Sequence, residues 1–255
     1  MSGFYATIAR YYDAEHTDRT DDLALYSELA EVYGGPVLDV GCGTGRVLFH
    51  LAQEGHTVCG IDSEQAMLDR ARRKLAAFPH LRARVTMHQG NVLTFETDTN
   101  FNLVLLSYNS LMHFHDQPQQ LALLQRLRRW TAPGGALVID LPNAGETFAT
   151  QDSSALTLER TFIDSETGHL IMQQAVSYLD RVQQLMHVTW IYDEITGQGA
   201  VQRTVAPVVF RYFFYPEVRL LLAQTGFEAV EVYGDAERGP FQDGCERMIV
   251  LARPV

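Results

Sequence analysis

Lysine is almost missing from this chain: of its 20 basic residues only Lys74 is a lysine, and the others are arginine. The basic residues are outnumbered by 31 acidic ones, for a formal net charge of −11. Such a field repels a phosphate backbone and argues against nucleic acid as a partner. The three cysteines, Cys42, Cys59 and Cys245, are too few and too scattered for a disulfide framework or a zinc cluster. No stretch reaches the roughly 18–20 apolar residues of a membrane span. The opening MSGFYATIARYYD has no long apolar core of a secretory signal, so a reducing cytoplasm is the expected compartment. Repeats, low-complexity tracts and Pro/Gly/Ser-rich linkers are also missing. What remains is an ordinary globular composition, 46% hydrophobic and 20% charged over 255 residues. A chain of that length buries roughly three quarters of its unfolded surface and needs no staples.

From about Leu23 to Leu141, short apolar runs alternate with segments of helical period, the pattern of βαβ units around a parallel sheet. VLDV (37–40), TVCGI (57–61), RVTMH (84–88), NLVLLS (102–107) and ALVIDL (136–141) read as five strands, nearly continuous in apolar residues as strands covered on both faces should be. Helices are predicted over 46–54, 64–78 and 118–130, the last with Asp116 as N-cap. From 146 to 216 the period becomes two. QQAVSYL, LMHVTWIYDEI and VVFRYFFY, with turns at Asp180-Arg181 and Thr196-Gly197 and an earlier one at Thr167-Gly168, predict an antiparallel meander inserted after the fifth strand. A helix over 216–224 and strands AVEVYG and RMIVLA then return to the first sheet. The predicted division is therefore one domain of residues 1–145 and 217–255, with an insertion of residues 146–216.

The chemistry-bearing signal is VLDVGCGTGR, a strand running through Gly41, Gly43 and Gly45 into a helix. Glycine allows the tight turn and lets a ligand approach the backbone, while the helix start offers unpaired N–H groups. A dinucleotide fingerprint, G-x-G-x-x-G, needs glycine where Arg46 stands. The spacing is G-x-G-x-G instead, with Asp39 two residues ahead. Asp62 ends the next strand, where a carboxylate can accept both hydroxyls of a ribose. Alternatively, the loop is a bare strand-to-helix turn and Asp62 merely caps the following helix.

In these motifs, together with QGNVLTF (89–95) and TAPGG (131–135), the chain resembles the class I S-adenosylmethionine-dependent methyltransferases. The resemblance covers about residues 35–142. It implies a Rossmann-like α/β fold with a seven-stranded, mostly parallel sheet of order 3-2-1-4-5-7-6, helices on both faces and an N-terminal helical lid. It also implies S-adenosylmethionine as methyl donor and S-adenosylhomocysteine as product, and no Asp/His cluster in the sequence suggests a catalytic metal. The donor site carried over comprises Tyr11, Tyr12, Asp39, Gly41, Cys42, Gly43, Gly45, Asp62, Ser63, Met67, Asn91, Val92 and Ser107. Asn91 stands where the family usually has an acid that meets the adenine amine. Met67 matches the position that packs on the adenine face.

SYNSLMHF (107–114) lacks the Asn/Asp-Pro-Pro-aromatic tetrad of many nucleic-acid and protein methyltransferases. It resembles small-molecule enzymes, among them amino-sugar and glycine-type N-methyltransferases. Tyr108, Asn109 and His113 are the substrate-side candidates there, and His113 is the best base, or else a group that orients the acceptor, with an imidazole expected to titrate near neutrality. ARYYDAEH (9–16) resembles the lid, with Tyr12 ahead of Tyr11 as the residue that closes. Removing residues 1–16 is expected to impair turnover more than folding. In the meander, Trp190 and Arg211 are substrate candidates, although period-two aromatics also suit a sheet core. The activity implied is methylation of a nitrogen or oxygen of a small metabolite. Its rivals are a methyltransferase for tRNA or protein, and a non-catalytic subunit that binds the donor. The expected partner is a small-molecule acceptor, with no nucleic acid or membrane, and a second copy could form a homodimer.

Overall fold

The computed structural model describes residues 3–145 and 155–255. The predicted start of the insertion at 146 lies outside the described residues. The strands of the first half are β1 (Val37–Val40), β2 (Val58–Asp62), β3 (Val85–Gln89), β4 (Phe101–Leu106) and β5 (Thr131–Pro142), and the chain ends in β10 (Phe227–Tyr233) and β11 (Arg247–Pro254). They form one sheet in the order β10-β11-β5-β4-β1-β2-β3. This is the expected 3-2-1-4-5-7-6 order, with β11 antiparallel to β5 and β10, and the rest parallel.

Successive side chains of a strand leave opposite faces, so one apolar run feeds two cores. Val104 and Leu106 of β4 join Leu123, Leu124 and Leu127 of α5 (Gln117–Trp130) and Leu221 and Leu222 of α6 (Tyr215–Gln224). Leu103 and Leu105 join the other core, built with α2 (Asp21–Tyr33), α3 (Arg46–Gln53) and α4 (Gln65–Ala77). Asp116 caps α5 as expected, its carboxylate accepting from the Gln119 N–H.

Between β5 and α6 lies a second sheet, β6 (Thr157–Ile163), β7 (Leu170–Asp180), β8 (Leu185–Ile195) and β9 (Val201–Arg211), antiparallel in that order. The last strand departs from the expectation: it begins at Val201 and stops at Arg211, whereas VVFRYFFY (208–215) was the segment predicted. Pro207 masked its first half, but β9 is an edge strand, where a residue without an N–H is tolerated. Tyr212 and Phe213 leave the small sheet for the large one's core. The lid helix, α1 (Phe4–Glu15), covers the inner face of the second sheet: Phe4, Ile8 and Tyr11 pack with Ile171, Ala175, Val188, Ala206 and Val208.

Candidate active site

The glycine loop leaves β1 at the carboxyl edge of the sheet, where ligands of open α/β sheets bind. Gly41 has φ +79°, and a Cβ there would lie 2.6 Å from the Ser110 hydroxyl oxygen, so any other residue would both strain the backbone and fill the cradle. Asp62 fixes this loop to β2. Its carboxylate accepts from the Gly43 N–H and from the Glu64 N–H, each at 2.8 Å. It therefore stiffens the loop and the start of α4, as the capping alternative held, and it also lines the cleft.

The cleft brings together most of the expected donor residues. Gly41, Gly43, Asp62, Ser63, Met67, Asn91 and Val92 line it, together with Tyr12 and His113. Asn91 Oδ1 accepts from the Leu93 N–H at 2.9 Å, which sets the side chain and leaves the oxygen a second lone pair. A small neighbouring cavity is lined by Asp39, Cys42 and Ser107, together with Tyr12 and Tyr108. There the Ser107 hydroxyl donates to Asp39 Oδ1 at 2.7 Å, and burial pushes the Asp39 carboxyl up to about 6. Tyr108, Asn109 and Trp190 line a third, larger cavity under the second sheet.

Three expected site residues lie elsewhere. Tyr11 is 2% exposed and stacks on Tyr192, with centroids 4.8 Å apart. One step along a helix turns it about 100° from Tyr12, into the second sheet's core and away from the cleft. Gly45 lines none of these cavities and supplies the left-handed residue that starts α3. Arg211 is bound to Glu217 at 2.5 Å and to the Gln183 carbonyl, tying the end of β9 to α6.

Two features escaped the sequence reading. Tyr5 lies seven residues before Tyr12, two helical turns, so it shares that face of α1 and reaches the cleft. Its hydroxyl is hydrogen-bonded to His113 Nε2 at 2.8 Å. The i, i+7 spacing was the available signal. Burial lowers His113 to about 4, so the expectation of titration near neutrality is corrected: the ring is neutral through the physiological range. Burial also raises Tyr5 far above its usual value, and that hydroxyl keeps its proton. The second missed feature is Asp13. It accepts from the Thr44 hydroxyl and from the lone lysine, Lys74, at 2.6 Å each, and from Arg70 at 3.1 Å, which ties the lid helix to the glycine loop and α4.

A family model described as a methyltransferase domain matches residues 37–135, from β1 to the turn inside β5. The cypemycin N-terminal methyltransferase of a Streptomyces species is 27% identical over 220 residues, covering 86% of this chain and 82% of that protein. The dTDP-3-amino-3,6-dideoxy-alpha-D-glucopyranose N,N-dimethyltransferase of Streptomyces fradiae is 29% identical over 147 residues, and there the match spans only 55% of either protein. In three dimensions, the CcbJ methyltransferase of Streptomyces caelestis superposes with a TM-score of 0.78 at 25% identity over 95% of this chain and 96% of its own. The cradle that side chains would fill, the apolar slot beside Met67 and Val92, and the carboxylate at its edge fit an adenosyl donor. Residues 37–135 are thus a methyltransferase domain that builds this cradle, and along nearly the whole chain the fold is that of the S-adenosylmethionine-dependent methyltransferases it resembles.

Proposed function

We propose that the protein methylates a nitrogen of a small-molecule acceptor, in the cytoplasm and without a nucleic-acid partner. We further propose that residues 1–145 and 217–255 bind the donor while residues 146–216 roof the acceptor. One observation carries the choice of nitrogen: Tyr5 lines both cavities, its hydrogen-bond partner His113 lines the donor cleft, and the pair is neutral, not a strong base. A hydroxyl acceptor needs its proton removed during attack, whereas a free amine carries its own lone pair. The names of the relatives, which include methyltransferases of amino sugars and of a peptide N-terminus, support the same class.

S-adenosylmethionine, when bound, supplies a methyl group already activated by a positively charged sulfur. The chain's task is to align, hold and exclude water. Asp62 would hold the ribose, Met67 and Val92 the adenine, and Asn91 the adenine amine. Tyr12 closes the cleft from the lid side, and the Tyr5 oxygen or His113 would orient the acceptor nitrogen by hydrogen bonding. Methyl transfer to paired amines and alcohols of matched skeleton checks the reading. Preference for the alcohols, or transfer only to tRNA or protein, would overturn it.

Two expected results follow from the titrating groups. His113→Asn should lose about tenfold in turnover, because it removes an orienting contact and no proton acceptor; loss of a general base would cost roughly 100- to 10,000-fold. The acidic limb of the rate should track the acceptor's own ammonium and persist in the variant, since His113 titrates only at about 4. A wild-type limb near pH 6.5 that vanishes in His113→Asn would refute this.

Asp39 is the one carboxylate among the described residues lining the small cavity and would face the donor's ammonium. A cation there favours the ionised form, so the complex holds fewer protons than the free protein around pH 6. Affinity should therefore be flat above pH 7 and fall as pH drops through 6. Calorimetry at pH 6 in buffers of different ionisation enthalpy should show release of about half a proton, absent in Asp39→Asn.

A further inference from the structure

Between α1 and the inner face of the second sheet lies a cavity of about 650 Å³ that shares Tyr5, Tyr12 and Tyr108 with the donor cleft. Tyr5, Ile8, Tyr12 and Glu15 all line it, and their i, i+3, i+7, i+10 spacing makes them one stripe of α1. The two tyrosines of the stripe also line the donor cleft, whereas Glu15 lines the larger cavity alone of the two. At 1.5 Å of rise per residue, Glu15 stands about 15 Å along the helix from Tyr5 and about 4.5 Å from Tyr12.

This far end of the stripe collects negative and hydrogen-bond-accepting groups. Glu15 Oε1 accepts from Gln173 Nε2 at 2.6 Å, and Oε2 accepts from the Tyr192 hydroxyl at 3.0 Å. Burial and then the Glu15 charge raise Tyr192 far above its usual value, so that hydroxyl keeps its proton and stays a donor. Both partners are neutral, and a carboxylate has about four acceptor positions, so two remain open. His16 adds a lone pair. Its Nδ1 lies 2.8 Å from the Tyr12 carbonyl oxygen, which only accepts, so Nδ1 carries the proton and Nε2 of the neutral ring does not. Burial holds His16 below the usual imidazole value against the opposing pull of Glu15, and the ring is neutral above pH 7. The helix itself ends here with no basic residue in its last turn, and the partial negative charge of a helix C-terminus favours a cation.

Against these acceptors stands one guanidinium. Arg160 is the one arginine or lysine among the described lining residues, and it is exposed. It donates to the Glu15 main-chain oxygen and not to the carboxylate, and a second exposed acid, Glu159, adjoins it on the wall. Among the described residues, no arginine or lysine pairs with the Glu15 carboxylate.

We infer that the acceptor carries, besides the nitrogen that is methylated, a second and cationic nitrogen that seats on the Glu15 carboxylate, with Gln173 and Tyr192 holding that carboxylate in place. This rests on the nitrogen-acceptor reading of the preceding subsection and narrows its substrate class to elongated amines with a distal cation. The test uses alkyl chains of five and eight carbons, each with an amine at one end and an amine, a methyl or a carboxylate at the other. In calorimetry at pH 7.5 on the full chain saturated with S-adenosylhomocysteine, the diamine of one length or the other should bind at least fivefold more tightly than the monoamine of that length. The amino acid should bind more weakly than the diamine. Glu15→Gln keeps the shape and an oxygen for Gln173 but removes the charge, and it should bring diamine and monoamine within twofold of each other. S-adenosylhomocysteine affinity within twofold of wild type reports that the variant is folded, and if it does not fold the wild-type ranking decides. Diamines that bind no more tightly than the monoamines, or a preference that survives in the folded variant, would overturn the inference. So would tightest binding by the amino acids, which would make Arg160 the anchor of an anionic group. Failure of the nitrogen-acceptor reading shows separately, as transfer to alcohols over matched amines, and failure of the methyltransferase reading as a wild type that does not bind S-adenosylhomocysteine.

Discussion

Asp62→Ala should weaken S-adenosylhomocysteine binding by on the order of 100-fold in calorimetry, the largest loss expected from any single side chain of the donor cleft. The carboxylate has two duties. In the free protein it accepts the Gly43 and Glu64 N–H groups, both at 2.8 Å. When the donor is bound, its remaining lone pairs would take the ribose hydroxyls. Hydrogen bonds to a charged acceptor are worth about 1.5–3 kcal/mol each, and the alanine variant loses those to the ribose while releasing the loop that shapes the cradle. Asp62→Asn separates the duties. Its amide oxygen can keep one backbone N–H, but its NH₂ cannot accept a hydroxyl, so it should melt close to wild type and still bind poorly. A dissociation constant within threefold of wild type for Asp62→Ala would reduce the residue to a cap of its helix.

The parts of this site legible in the sequence are those fixed by local geometry. The glycine loop, Asp62 and Met67 occupy a strand, a turn and the first helical turn beyond it, and their spacing alone determines that they meet. A parallel sheet was legible from the alternating strand and helix patterns, while its order was implied by the family resemblance that these motifs carry. Residues whose role depends on a distant partner were not. Tyr11 and Tyr12 are adjacent, and which faces the cleft is decided by the second sheet, more than 150 positions away, whose Tyr192 receives the Tyr11 ring. Arg211 looked like a functional cation in an apolar run because its partner, Glu217, lies beyond the end of the strand. His113 looked like a neutral-pH base because nothing local shows that Tyr5 and Phe210 enclose it, at ring centroid distances of 5.3 Å each.

The same long-range packing reverses the expectation for the lid. A chain lacking residues 1–16 should lose folding as well as turnover, with a melting temperature at least 10 °C lower and binding of a dye for exposed apolar surface. Phe4, Ile8 and Tyr11 are all at or below 6% exposed, and burying a large apolar side chain is worth about 1.5–3 kcal/mol. Without them, Ile171, Val188 and Val208 of the second sheet face water. Charge adds to the cost. Arg10 sits 2.5 Å from Asp164 and 3.0 Å from Glu194, whose side chains are 1% and 4% exposed, and their removal from that partner leaves two acids together in the sheet with no arginine. Arg10 is itself 36% exposed, Glu194 keeps His169 at 2.7 Å and Asp164 keeps the Glu166 N–H, so this loss adds to the apolar one without dominating it. The large sheet keeps its own two cores, so partial unfolding confined to residues 155–211 is the expected form of the damage, visible as lost hydrogen-exchange protection there. Tyr12→Phe in the full chain provides the contrast. It keeps every apolar contact of α1 and should melt within about 2 °C of wild type, so any loss of donor affinity in it belongs to the hydroxyl. A truncated protein that melts with the full-length one and exchanges no faster over β6–β9 would show that α1 only visits the second sheet, as a lid without a structural role would.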